Sequence, residues 1–214
     1  MSDFYALADL RIDELNKLTL GRFEAVKRQL RRKKDGVSFD ALLVSQVLTA
    51  LYKQLDTDLR YELYLLIEEQ YEEMADSVGF EELDEGFEDL FLENILFKPD
   101  PITHYAYDAE LLRKRDRAIE AVNAVSGVQN KQDELDKALR LYSQMVGQYV
   151  DTVAYEAAIK AFKDAGVKYV KWVTQKDEKV CVECDSRDGK IYPINRLPAR
   201  PHWRCRCECK PLNK

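Results

Sequence analysis

The chain has 214 residues, of which 46% are hydrophobic and 34% charged, so it contains enough apolar material for a buried core and is not a disordered polymer. It carries 33 Lys and Arg against 39 Asp and Glu, a net charge of −6, and no apolar run reaches the roughly 20 residues of a membrane helix. Acidic residues interrupt the first 20 positions, which argues against a signal peptide or a membrane anchor. We therefore expect a protein made in the cytoplasm with no membrane partner.

The first 165 residues predict helices that pack on one another. Between residues 41 and 71, apolar side chains recur mostly every three or four positions, which is the period of one helical face. The same pattern returns at 111–125 and at 135–149. Turn-forming residues predict helix ends at Asp35-Gly36, at Pro99 and Pro101, at Ser126-Gly127, and at Gly166, which should cap a helix over about 151–165.

The pattern changes after Gly166. Residues 168–173 alternate between polar and apolar, Asp188-Gly189 is typical of a hairpin, and 190–192 and 204–209 have the composition of short strands. We therefore predict a mainly α fold with a helical body over 1–150 and a small C-terminal α+β module over 151–214. Residues 168–214 hold twelve Lys and Arg and six Asp and Glu, whereas residues 1–167 hold 21 and 33, so a basic module follows an acidic body.

One segment of the helical body is strongly acidic. Residues 61–97 contain thirteen Asp and Glu and no Lys or Arg, whereas residues 27–34 contain six basic side chains. The simple interpretation is that solvated helix faces of opposite sign pair with each other. The alternative is that the acidic segment forms a helix that docks onto a basic protein through apolar side chains such as Phe87 and Phe91; this segment would repel DNA.

All five cysteines lie in the last 34 residues, and an odd, clustered set favours metal ligands over a disulfide framework. Cys181 and Cys184 form a C-x-x-C pair, and His202 and Cys205 form a second pair with the same spacing, which together supply the four corners of a tetrahedral zinc site. On a strand, Cys205 and Cys207 share a face, so Cys207 is an alternative to Cys205. We predict a structural zinc ion that stabilises the C-terminal module. Its ligands are four of the five residues Cys181, Cys184, His202, Cys205 and Cys207.

Two other interpretations of the cysteines stay open at this stage: reduced thiols in a small core, and disulfides of the Cys181–Cys205 type. A catalytic metal is disfavoured, because catalytic zinc keeps an open coordination position and this cluster offers four or more ligands. No phosphate-binding, hydrolase or zinc-protease motif is present. Asp177, Asp185 and Asp188 could be imagined as nuclease carboxylates, but acidic residues around a turn are usually turn formers. We expect no enzymatic activity.

Basic side chains alternate with the ligands. Arg204 and Arg206 would project from the strand face opposite Cys205 and Cys207, and Arg200 lies nearby. These three arginines are candidate contacts for phosphates or for an acidic protein surface, with an ordinary solvated surface as the alternative.

Over residues 167–209 the chain resembles the C-terminal signature of the phage head morphogenesis family, the Mu F-like minor head proteins. The resemblance rests on the order Trp172, Asp177, Cys181-x-x-Cys184, Asp188-Gly189 and Pro201-His202-x-x-Cys205-Arg206-Cys207. Two features depart from the family pattern: Trp203 stands where the family usually has proline, and Cys209 is additional. The chain is short for the family and no toxin domain follows the module, which favours a virion component over the toxin relatives.

The resemblance implies a minor capsid protein of a tailed bacteriophage. Such a protein is expected inside the virion head at the portal vertex, after assembly in the host cytoplasm. Its implied partners are the portal protein, other head proteins and packaged DNA, and its role lies in head assembly, DNA packaging or DNA ejection. The alternatives are a free-standing nucleic-acid-binding zinc module and, less favoured, a metal-dependent nuclease.

Overall fold

A computed structural model describes residues 4–32, 41–81, 86–100, 103–175, 180–202 and 205–212. The fold is mainly α, as predicted: the described residues are 73% helical and contain six α-helices and a small antiparallel sheet near the C-terminus. The helices in the described residues are α1 (Ala6–Arg32), α2 (Ala41–Ser77), α3 (Glu88–Phe97), α4 (Tyr107–Ala124), α5 (Val128–Asp164) and α6 (Val182–Arg187). No helix in these ranges is long and apolar enough to cross a membrane.

Most predicted helix breaks are confirmed. Helix α3 ends before Pro99 and α4 ends before Ser126, while Asp35-Gly36 lies outside the described residues. The prediction of a separate helix starting near residue 151 is wrong, because α5 runs unbroken from Val128 to Asp164. Its end is as predicted: Gly166 adopts φ +74°, its N–H donates to Lys163 O, and the N–H of Val167 donates to Phe162 O at 2.9 Å, which is a Schellman cap.

The sheet has the order β2-β1-β3, with β1 at Tyr169–Val173, β2 at Ile191–Pro193 and β3 at Glu208–Pro211. Both outer strands pair with β1 antiparallel, and Val170 and Trp172 of β1 are fully buried on one face. The predicted strand at 204–209 begins later, at Glu208. Asp188-Gly189 does not form a hairpin turn, because α6 lies between β1 and β2 and this dipeptide follows the end of α6.

The chain divides into two compact units. Unit 1 comprises 1–10, 63–92 and 148–214, and unit 2 comprises 11–62 and 93–147. Unit 1 has a core of Tyr71, Phe162 and Trp172 packed with small residues of α5, namely Ala154, Ala157, Ala158 and Ala161. Unit 2 contains Leu55, Leu59 and Tyr142 in its core, and the predicted apolar faces of α2 and α5 contribute to it. The predicted boundary between 150 and 151 stays a prediction.

The acidic segment at 61–97 is not one helix. Helix α2 ends at Ser77, Gly79 adopts φ +70°, and α3 begins at Glu88. Phe87 packs inside unit 1, with its ring 4.8 Å from the ring of Tyr71 and 4.3 Å from Lys160 Nζ. Pairing of opposite charges occurs within unit 2, where Lys27 contacts Glu24 and Asp136.

Candidate metal centre

Helix α6 presents the C-x-x-C pair. Cys181 is the N-cap of this helix, and its Sγ accepts the backbone N–H of Cys184 at 3.3 Å. Cys184, in the first turn, is buried with 1% of its surface exposed, whereas Val182 between the two cysteines is 88% exposed. The sequence reasoning missed this helix, because six residues are too few to show a period.

Helix α6 is fixed against β1 by side chains on both sides of the turn that follows it. The Arg187 guanidinium lies 5.1 Å from the Trp172 ring centroid, and its Nη1 donates to Ala199 O at 2.7 Å. Asp188 Oδ1 accepts the backbone N–H of Thr174 at 2.9 Å. The N–H of Gly189, at φ +73°, donates to Trp172 O at 2.8 Å, and this conformation favours glycine. The residues Trp172, Asp188 and Gly189 therefore place Cys181 and Cys184.

His202 and the later cysteines reach α6 from the segment that precedes β3. Cys184 Sγ lies 3.7 Å from His202 Nε2 and 3.4 Å from Cys205 Sγ. Two groups of ligand atoms, each with all members within 4.8 Å, result: Cys181, Cys184 and His202 form one, and Cys184, Cys205 and Cys207 the other. Cys184 belongs to both groups. The structure thus brings together all five sequence-predicted ligands in a cluster that could hold a metal ion.

The distances fit a tetrahedral ion with thiolate and imidazole ligands. Zn–S bonds of about 2.3 Å and Zn–N bonds of about 2.0 Å place neighbouring ligand atoms about 3.5 to 3.8 Å apart. The contacts of Cys184 with His202 and Cys205 have about these lengths. All five cysteines are free thiols, so no disulfide competes for these sulfur atoms.

The ionisation of the thiols also favours a cation. A hydrogen bond from the Cys207 thiol lowers the pKa of Cys205, whereas the same hydrogen bond raises the pKa of Cys207 and burial raises that of Cys184. Burial acts against ionisation of Cys181 as well, but the hydrogen bonds from the backbone and the thiol of Cys184, together with the neighbouring His202, outweigh it and lower the Cys181 pKa. Three touching, buried sulfur atoms can thus hold about one negative charge by themselves, and a divalent ion would allow the others to ionise.

Residues distant in sequence support the ligand segment. The Tyr5 hydroxyl donates to the carbonyls of Cys205 at 3.2 Å and Cys207 at 3.1 Å, about 200 residues away in sequence. Arg200 donates from Nη1 to Asp151 O at 2.7 Å and from Nη2 to Cys205 O at 2.5 Å, and its guanidinium lies 5.3 Å from the Tyr155 ring centroid. No sequence pattern indicated Tyr5 or Tyr155, because neither belongs to a motif.

Cys209 lies apart from both groups. It is in β3, opposite Trp172, and its Sγ lies 3.4 Å from the Tyr155 hydroxyl. Burial raises its pKa to about 11, so the thiol stays protonated at neutral pH. Cys209 is a core residue of unit 1.

The three predicted contact arginines have different positions. Arg200 is used inside the protein, since both terminal nitrogens donate to backbone carbonyls. Arg206 is about half exposed and forms a surface ion pair with Asp9 at 2.9 Å. Arg204, like Trp203 and Asp177, lies outside the described residues. The alternation expected around the ligands is present: Cys205 and Cys207 are buried and Arg206 is exposed, although the strand begins only after them.

No family model, no curated protein and no solved structure matches this chain.

Proposed function

We propose that this chain is a minor protein of the head of a tailed bacteriophage. In this proposal it lies at the portal vertex, faces the head interior, and contacts the portal protein and other head proteins during head assembly, DNA packaging or DNA ejection. The support is the C-terminal signature. The observation that carries it is that the signature's cysteines and histidine, spread over 27 positions from Cys181 to Cys207, converge on one cluster in unit 1.

The proposed metal is zinc, in a structural role. Thiolates with an imidazole are a common zinc donor set, and hard cations prefer oxygen. Cys181, Cys184 and His202 are proposed ligands, and Cys205, whose carbonyl accepts hydrogen bonds from both Tyr5 and Arg200, is the proposed fourth. Cys207 is the alternative fourth ligand. When bound, zinc would connect α6 to the segment before β3.

The proposed partner contact uses Arg206. Its ion pair with Asp9 joins two half-exposed side chains, and such pairs contribute little to stability. A carboxylate or phosphate of a partner can therefore replace Asp9 at small cost. Arg200 is left out of the proposed contact because it holds the ligand segment in place.

The test is the position of the protein in assembled particles. We expect a tagged chain, co-expressed with its portal and capsid proteins, to be labelled at a single vertex and on the inner side of the shell. Label dispersed over the outer shell, or particles without the chain, would overturn the proposal.

A pair of cysteine variants adds a control to this test. Cys184→Ser should lose both the metal and incorporation into particles, because Cys184 belongs to both ligand groups. Cys209→Ser should keep both, since its thiol contacts Tyr155 and lies in neither group. Equal incorporation of the two variants would contradict a metal-dependent role.

A further inference from the structure

The sheet of unit 1 has one face turned away from the buried Val170 and Trp172. Directly paired residues of an antiparallel sheet lie on the same face. The register pairs Tyr169 with Pro193 and pairs Lys171 with both Ile191 and Lys210. Tyr169 and Ile191 are 51% and 58% exposed. We call the set Tyr169, Lys171, Ile191 and Lys210 the outer sheet face; Val173 and Glu208, which pair at the end of β1, lie on the same side.

The outer sheet face places two lysines side by side. Lys171 and Lys210 are direct cross-strand partners, and like charges in such a pair destabilise a sheet. In the described part of the chain Lys171 makes no ion pair, whereas Lys210 has Glu208, on the same side of the sheet, 3.7 Å from its Nζ. Within these residues only Lys210 has a compensating contact, so the charge of Lys171 is available to an anion.

Three further basic residues lie next to the strands in sequence. Lys168 precedes β1, Lys190 precedes β2 and Arg196 follows β2, and all three are exposed and have no ion pair within the described ranges.

We propose that the outer sheet face binds single-stranded nucleic acid, with Lys171 and Lys210 on successive phosphates and the ring of Tyr169 stacked on a base. Surfaces that bind single strands without sequence preference combine basic side chains for the backbone with exposed aromatic rings for the bases. Tyr169 supplies the ring beside the lysine pair, and Ile191 supplies apolar contact across the strand.

The exposed ring selects the single strand over two other anionic partners. Duplex DNA keeps its bases inside the stack, so it would use the lysines but not Tyr169. An acidic protein would also use the lysines, and any apolar side chain at position 169 would serve it. This inference goes beyond the proposed head function: it concerns residues outside the metal cluster and does not depend on position in a particle.

The experiment uses the full-length, metal-loaded chain and fluorescence anisotropy. The probes are a labelled thymidine oligonucleotide of about 12 nucleotides, within the site size of single-strand-binding folds, a duplex of equal length, and a polyglutamate peptide. We expect the oligonucleotide to bind best, with affinity falling as salt rises. Lys171→Gln with Lys210→Gln should reduce the slope of log affinity against log salt by about 1.4, or about 0.7 per lost phosphate contact.

The ring provides the decisive comparison. Tyr169→Leu keeps an apolar side chain but should weaken oligonucleotide binding about 5- to 150-fold, and Tyr169→Phe should restore it. The matched controls are Lys17→Gln with Lys53→Gln, which makes the same charge change at exposed helical positions, and Tyr61→Leu, at a tyrosine that is 61% exposed. Neither control should change binding beyond the error of the titration.

Several results would overturn the inference. These are equal binding of duplex and single strand with no effect of Tyr169→Leu, preferential binding of polyglutamate, and no binding of any probe at low salt. Metal content and particle position are independent readouts, so failure here is distinguishable from failure of the proposed function.

Discussion

At the scale of single residues, the sequence nominated the candidate ligands but not the residues that place them. The C-x-x-C and H-x-x-C-x-C spacings were sufficient to nominate all five residues, because each pair can turn around one ion. The choice between Cys205 and Cys207 depends on how each backbone is held, which no spacing contains. Tyr5 and Arg200 support the ligand segment by donating hydrogen bonds to its backbone carbonyls. Every residue has a backbone carbonyl, so these contacts leave no pattern in the sequence.

The fourth ligand can be tested by two single substitutions. Cys205→Ser should weaken zinc binding far more than Cys207→Ser, because Tyr5 and Arg200 both hold the Cys205 carbonyl, whereas of the two only Tyr5 holds that of Cys207 in the described residues. Competition with a chromogenic chelator measures both affinities. Elemental analysis of each variant gives the zinc content per chain. A stronger effect of Cys207→Ser would make Cys207 the ligand.

Tyr5 should stabilise the ligand segment through its hydroxyl. Tyr5→Phe leaves the carbonyls of Cys205 and Cys207 without this donor in a buried place, at an expected cost of about 1–3 kcal/mol in the free energy of unfolding. Urea denaturation of the zinc-bound chain measures it. Tyr61→Phe, at an exposed position, should change stability by less than about 0.5 kcal/mol. Equal effects of the two substitutions would mean that the Tyr5 hydroxyl does not stabilise the ligand segment.

At the scale of elements, long segments with strong periodicity were predicted better than short ones. The apolar faces of α2 and α5 and the strand at β1 follow from their periods, because each buries one side. Helix α6 was missed, because a helix of one and a half turns is too short to show a period. It is stabilised instead by the Cys181 cap and by the hydrogen bond of Arg187. Leu112 lies within the apolar pattern predicted at 111–125, yet it is 47% exposed.

The end of α5 gives a prediction with a matched control of opposite sign. Gly166→Ala should destabilise the protein by about 1 kcal/mol, because a Cβ at φ +74° is strained even though nothing lies within 4 Å of it. Gly21→Ala, in the interior of α1 and also without near neighbours, should stabilise by about 0.5–1 kcal/mol. The midpoints of urea denaturation give both changes in the free energy of unfolding, provided that its dependence on urea concentration is unchanged. The same sign for both substitutions would contradict the cap at Gly166.

At the scale of the whole molecule, the sequence predicted a change from helix to sheet near Gly166, and the structure has it. The sequence could not indicate that Phe4, Tyr5 and Leu63 group with the C-terminal residues in unit 1, because contacts between positions so far apart leave no periodic signal. The metal centre consequently lies within a unit assembled from three parts of the chain. Its stability should depend on both the metal and this packing.

Removal of the metal should separate these two contributions. A structural zinc site supplies about 10–16 kcal/mol of binding free energy in small zinc peptides, and here β3 also contacts α5 through Cys209 and Tyr155. A strong zinc chelator should therefore abolish hydrogen-exchange protection of the amides that join β1 to the α6 turn, those of Trp172 and Gly189. Amides of α2 and α5 should stay protected, and the far-ultraviolet helical signal should change little, because 73% of the described residues are helical.

The control for chelation is the choice of ion added back. Zinc should restore protection of the Trp172 and Gly189 amides, whereas magnesium should not, because thiolates bind hard cations weakly. Hydrogen exchange with mass spectrometry measures both conditions on the same sample. If protection of these amides persists after the metal is shown to be gone, then packing against Trp172 and Tyr5 suffices to fold the module, and the ion has a role other than holding α6 to the segment before β3.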